Sequence, residues 1–200
     1  MSTFDGTRKF WTFSDKYIDP FDLKVEDIDL QAIAKALSNK CRFAGHTMDF
    51  YSVAQHSVVV SRCLEDRYLV NQMEAEEVKE LLMWGLLHDA AEAYLGDIVK
   101  PMKPYLWVGD SRNFESFATH EDRILNRVAE AFQLHWPPPE AVWKADEEVL
   151  CFEGEFIVQT GRWDFGPLPY WPKGESVDPL PPYDAWLLFL TRYSEIENME

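Results

Sequence analysis

Three polar groups stand where the surrounding pattern asks for apolar ones. His56 shares the inward face of a helical segment with Val53, Val60 and Cys63. His88 and Asp89 interrupt the most hydrophobic stretch of the chain, LLMWGLLHDAAEAYL. Asp146 shares a helical face with Val142, Val149 and Leu150. A buried, unpaired carboxylate costs on the order of several kcal/mol, so each aspartate needs a partner. No basic residue precedes either aspartate by one turn on the same face. A divalent cation would satisfy both carboxylates and both imidazoles at once. Two nitrogens and two carboxylate oxygens suit Mn, Fe, Co, Ni or Zn, with the remaining positions left to water and substrate. Taken singly, each residue also fits a plainer role, as a hydrogen-bonded core histidine or a capping or salt-bridged aspartate. The combination, on the inward faces of three separate helices, points to one centre.

Glu92 follows His88 by one helical turn and points into the same space. With four ligands supplied, it is left for proton transfer or for holding a water. Asp97 lies just past the helix end, where it either assists Glu92 or occupies a surface turn. Arg42, Lys100 and Lys103 are the cations near this end of the chain. Arginine suits bidentate phosphate contact and lysine acts as a point charge; solvated surface is the other reading of the two lysines.

The elements that must position these groups are helices. Asp29 can cap a helix with Leu30, Ile33, Ala34 and Leu37 on one face. Ser52 and Gln55 form a capping box ahead of a helix reaching about Leu64. A long helix is predicted from about Glu74 to Tyr94, stopped by Gly96, and another from about Phe114 to Phe132. Pro137-Pro138-Pro139 separates the latter from a helix over about Glu140 to Ile157. A last helix, about Asp184 to Glu197, should bury Trp186, Leu187, Leu190 and Tyr193. Residues 160–183, rich in Pro, Gly and Trp, read as a long ordered loop. Residues 1–20 read as a short extended or hairpin arm, from the Asp5-Gly6 turn signal and the β-forming run Lys9–Phe13. The expected fold is an all-α bundle of five to seven helices in a single domain over residues 1–200.

A net charge of −16 repels polyanions, which argues against binding DNA or RNA as a polymer. A nucleotide differs, because one metal ion and two or three local cations can meet its charge. Three cysteines without a CxxC pair argue against a disulfide framework or a cysteine zinc site. There is no signal-peptide pattern and no run of about 18 apolar residues, so a cytoplasmic protein without a membrane span is expected. Oligomeric state is left open, a homo-oligomer included.

The order His56, His88-Asp89, Asp146 resembles the HD superfamily of metal-dependent phosphohydrolases. The stretch HDAAEAYLGDIVKPMK is similar to the 5′-deoxynucleotidase branch, and CRFAGHTMDFYSVAQHS to that branch's N-terminal motif. Phage and bacterial HD proteins that hydrolyse nucleoside mono- or triphosphates, including phage dATP triphosphohydrolases, look similar. The resemblance covers about residues 25–155. It implies an HD-domain helical bundle with His56, His88, Asp89 and Asp146 as ligands of one divalent ion (Mn, Co, Fe, Ni, Zn or Mg). It places Glu92 nearest the attacking water, with Asp97 assisting. It puts Arg42 and Phe43 where the family's Arg-Trp pair contacts phosphate and sugar. This chain departs from the pattern in having Phe43 for Trp, and Gln55 for Glu before the first ligand. The implied reaction is metal-assisted removal of phosphate from a dNMP or dNTP, with Arg42 and a lysine steadying the phosphate. The alternatives are a guanosine tetraphosphate hydrolase and a non-catalytic nucleotide-sensing module of the same fold.

Overall fold

Asp29 opens the first helix as its side-chain chemistry demands, its carboxylate accepting the Ala32 N–H at 2.9 Å. This helix, α1 (Leu30–Ser38), buries Ile33, Ala34 and Leu37 completely. The computed structural model to which it belongs describes residues 8–68, 73–110, 113–158 and 171–199. Ahead of α1, β1 (Phe10–Trp11) pairs antiparallel with β2 (Tyr17–Ile18), giving the expected arm the form of a small hairpin. The Asp5-Gly6 turn signal lies outside the described residues.

Ser52 caps α2 (Val53–Tyr68) by accepting the Gln55 N–H at 3.1 Å, and the helix runs a turn beyond Leu64. Every residue from Val53 to Ser61 is buried. The reason is position: α1 and three later helices, α3 (Ala75–Leu87), α6 (Glu140–Glu153) and α7 (Pro182–Glu197), all pack on α2. α3 packs tightly on α2 at Gly85. A methyl there would lie 2.7 Å from Leu64 Cδ1 and 2.9 Å from the Ser61 Cα. Gly85→Ala should therefore destabilise by about 1–3 kcal/mol through overpacking. That outweighs the roughly 1 kcal/mol that alanine gains over glycine in helix propensity. Thermal unfolding of the variant would show a raised midpoint if the two helices can separate without penalty.

The long helix expected over 74–94 is interrupted. α3 ends at Leu87 and a short α4 (Glu92–Leu95) follows. Between them Ala90 N–H bonds the Leu87 carbonyl and Glu92 N–H that of Asp89, both at 2.9 Å, a three-residue rather than four-residue spacing. The His88 ring takes up the Gly85 carbonyl at 2.8 Å, occupying an acceptor of the last α3 turn. Gly96, at φ 92°, stops α4 as expected.

α5 (Phe117–Phe132) starts later than the apolar pattern suggested, because Asn113–Ser116 forms β4, paired antiparallel with β3 (Trp107–Asp110). Ser116 then caps the helix through the Thr119 N–H. α6 follows the three prolines as predicted.

α7 is rotated relative to expectation. Its buried residues are Ala185, Phe189, Arg192 and Ile196, whereas Leu187 is exposed and Trp186, Leu190 and Tyr193 are half-buried. Arg192 sets this phase. Its Nε donates to Ser61 Oγ at 3.0 Å and its Nη1 lies 2.8 Å from the Glu65 carboxylate. A buried guanidinium must keep such partners, and both are on α2.

Residues 171–181 run as a strap antiparallel along α2. Lys173 N–H donates to Asp66, Glu175 pairs with Arg62, and the Gln55 amide both donates to the Asp178 carbonyl and accepts the Leu180 N–H. Gln55 thus holds the strap and does not close a reciprocal capping box. The remainder of the predicted long loop, residues 159–170, lies outside the described residues. The described chain is mostly helical, and no helix in it is long and apolar enough to cross a membrane.

Candidate active site

Three helical elements bring one set of donors together. α2 supplies His56, the tight turn after α3 supplies His88 and Asp89, and α6 supplies Asp146. Donor atoms of His56, His88 and Asp146 all lie within 4.8 Å of one another. His56 Nε2 is 3.1 Å from Asp146 Oδ1 and 3.8 Å from Asp89 Oδ2. His88 Nε2 is 3.3 Å from Asp89 Oδ2 and 3.9 Å from Asp146 Oδ1.

Both imidazoles are oriented by their other nitrogen. His88 Nδ1 donates to the Gly85 carbonyl at 2.8 Å, which leaves the Nε2 lone pair facing the aspartates. That Nε2 is buried and without a hydrogen-bond partner. His56 Nδ1 faces Glu153 Oε1 at 2.9 Å, so its Nε2 also turns to the common point. A carboxylate or carbonyl behind each ring is the arrangement that fixes a metal-ligating histidine. Ligands about 2.1 Å from one ion stand roughly 3.0–4.2 Å apart. The four measured separations lie inside that range, so these residues fit a divalent cation.

The electrostatics agree. Burial and Arg42 oppose a proton on His56, but Glu153 and Asp146 outweigh them and raise its pKa to about 9. Burial favours a neutral Asp89, yet His88, His56 and Arg42 hold its pKa below the usual carboxylate range. Asp146 is lowered in the same way, against burial, by His56 and His88. The cluster calls for positive charge at its middle, as a proton or as a metal ion.

Glu153 was not singled out from the sequence. It is fully buried and bonds both His56 Nδ1 and, at 3.0 Å, Arg42 Nε. The available signal was its spacing: it follows Asp146 by seven residues, two turns along the same face of α6.

Arg42 is buried and committed to acids, with Glu153 at 3.0 Å and Asp89 at 3.6 Å. Phe43, half-buried, lies beside it, with the guanidinium 5.5 Å from the ring centroid. Phe43 and Ala44 adopt φ of 56° and 51°, a conformation unusual for residues with a Cβ and one that turns the chain sharply beside Arg42.

Glu92 is buried, its Oε2 unpartnered and its Oε1 3.5 Å from the Lys103 ammonium. Burial, then Asp89 and Asp97, push its pKa well above the ordinary value. Lys103 is also held by Glu121 at 2.9 Å, a partner the sequence did not reveal. Asp97 is half-buried, and burial and Asp89 raise its pKa. Lys100 is different: it is exposed and pairs with Glu147, outside the cluster. His120, unplaced from sequence, is buried, stacks on Phe21 and bonds Glu115.

No family model matches the chain. It is 32% identical to the uncharacterized protein YfdR of Escherichia coli K12 over 198 residues, covering 94% of this chain and 95% of that protein. The chain belongs to the YfdR family. An uncharacterized protein of Rhodobacter capsulatus is 28% identical over 191 residues, covering 90% of this YfdR-family chain and 91% of the relative. Both alignments span the elements that carry the His-His-Asp-Asp cluster.

Proposed function

We propose that this YfdR-family protein is a metal-dependent phosphohydrolase of the HD superfamily, acting on a (deoxy)nucleoside 5′-mono- or triphosphate. The observation that carries this reading is the pair of imidazoles anchored at Nδ1, with both Nε2 atoms turned to Asp89 and Asp146. His56, His88, Asp89 and Asp146 would hold the ion. When bound, a divalent ion supplies Lewis acidity, offsetting phosphate charge and making water a better nucleophile.

The chain's own residues do the rest. Glu92, buried beside the cluster, accepts the proton of the attacking water. Lys103 stands against Glu92 and offers a positive charge to a phosphate oxygen. Arg42 reaches the cluster through Asp89, and its bond to Glu153 holds it in place. Phe43 supplies an apolar surface beside Arg42 for the sugar. Free thiols at Cys41, Cys63 and Cys151 suit a reducing compartment, and the proposed location is the cytoplasm.

Phosphate release from a panel of dNMPs and dNTPs with Mn, Co or Mg, with products resolved by chromatography, tests the reading. Glu92→Gln should retain metal and lose about 10²–10⁴-fold in kcat. Metal and nucleotide binding without turnover in the unaltered protein would leave a sensing module in place of an enzyme.

A further inference from the structure

A cleft of about 340 Å³ lies apart from the metal cluster, between the N-terminal hairpin, α1 and α4. That size suits a small molecule, for which pockets of roughly 300–1,000 Å³ are usual. Trp11 and Phe13 form one wall; Lys35, Asn39 and Lys40 form another; Tyr94 closes it from α4. The hairpin wall is fixed to the body. The Phe13 ring meets Trp186 of α7 edge-on at 5.9 Å and the Ser14 hydroxyl bonds Asp29, while within the hairpin Trp11 packs on Tyr17 at 5.1 Å.

The cleft carries two cations, in a chain whose acidic residues outnumber its basic ones by 35 to 19. Among the described residues, neither Lys35 nor Lys40 has a carboxylate within ion-pair distance; Lys35 instead lies over the Trp186 ring at 5.2 Å. Lys40 is half-buried, and Glu92 and Asp97 act on its charge only from beyond contact. Tyr94 is 8% exposed. Trp11 is 67% exposed and Phe13 is 56% exposed, which leaves their rings available for stacking.

We propose that this cleft is a second ligand site that takes a small aromatic anion, its ring against Trp11 and Phe13 and its anionic group on Lys35 and Lys40. The cleft residue Ala93 is the chain neighbour of Glu92, but no residue proposed as a metal ligand lines the cleft.

Calorimetric titration with 1-naphthalenesulfonate tests the proposal without relying on turnover, because this probe carries no phosphate to hydrolyse. One saturable site is expected. Trp11→Ala and the double variant K35Q/K40Q should each weaken binding by about tenfold or more. The neutral 1-naphthalenemethanol should bind the unaltered protein more weakly by a similar factor. Asp146→Asn should leave sulfonate binding unchanged, since the cleft is separate from the metal ligands. The proposal is overturned by absence of saturable binding, by equal affinity for the neutral probe, by insensitivity to Trp11→Ala, or by loss of binding in Asp146→Asn. Trp11 is an exposed hairpin residue, so its variant remains informative if the double lysine variant fails to fold.

Discussion

Replacing His88 with Gln is expected to remove bound metal and phosphohydrolase activity together while leaving helical content unchanged. The His88 Nε2 is buried, lacks a hydrogen-bond partner and faces Asp89 at 3.3 Å and Asp146 at 3.9 Å. If the ring were only a core residue, deleting an unsatisfied buried nitrogen would be neutral or stabilising. If it is a ligand, affinity should fall by more than the ~100-fold that loss of an outer partner can cause. Metal content after dialysis against Mn, measured with phosphate release and circular dichroism, separates the two. A variant that keeps its metal and its turnover would leave the proposed centre without support.

Glu153→Ala is expected to have the largest effect on folding, about 3–5 kcal/mol, because removing one partner of a buried charge pair strands the other. Here several buried groups are stranded: Arg42 loses the acceptor of its Nε, His56 that of its Nδ1, and the Tyr51 hydroxyl its bond to the carboxylate. Burial alone would favour a neutral Glu153, but Arg42 and His56 hold its pKa below the ordinary value, so charged partners are what keep it ionised. The free His56 ring could then rotate, and metal affinity should drop by about 10–100-fold. Glu153→Gln should fall between, since the amide oxygen still accepts one bond while Arg42 keeps only Asp89 as a charged partner. Urea unfolding of metal-free protein isolates the folding effect from ligand linkage. A shift below about 1 kcal/mol, the range of an ordinary exposed pair, would mean that Asp89 takes over Arg42.

Much of the cluster was legible because His56, His88, Asp89 and Asp146 interrupt apolar faces, and an interruption is visible in one dimension. The caps at Asp29 and Ser52 were legible for a similar reason: short polar side chains precede periodic runs, and both cap, although Gln55 does not return the bond of the expected capping box. Glu153 was not legible. It lies in a stretch dense with acids (Asp146, Glu147, Glu148, Glu155), where one more carboxylate looks like solvated surface. Its partner Arg42 is 111 residues away, and only the fold joins them. The phase of α7 was misread because Trp186, Leu187, Leu190 and Tyr193 make an apolar face in the sequence, whereas Arg192, on another face, is buried by partners on α2. The break after Leu87 failed because local composition there favours helix; the departure comes from what His88 bonds. Strand β4 was absorbed into the start of α5 because Phe114 and Phe117 share a helical spacing, and β3 was not read as a strand.

The tight turn between α3 and α4 has an angular consequence. Three residues advance about 300° around an α-helix but about 360° in a three-residue-per-turn spiral. The Asp89-to-Glu92 bond of the second kind therefore brings the proposed ligand carboxylate and the proposed proton acceptor to nearly the same bearing around the axis. One residue more or fewer between them would swing Glu92 through about a third of a revolution, away from the His-His-Asp-Asp cluster. Length variation is thus closed to this turn. Diversification of chemistry within the fold must proceed through the residues surrounding the pair, whose substitution leaves that bearing intact.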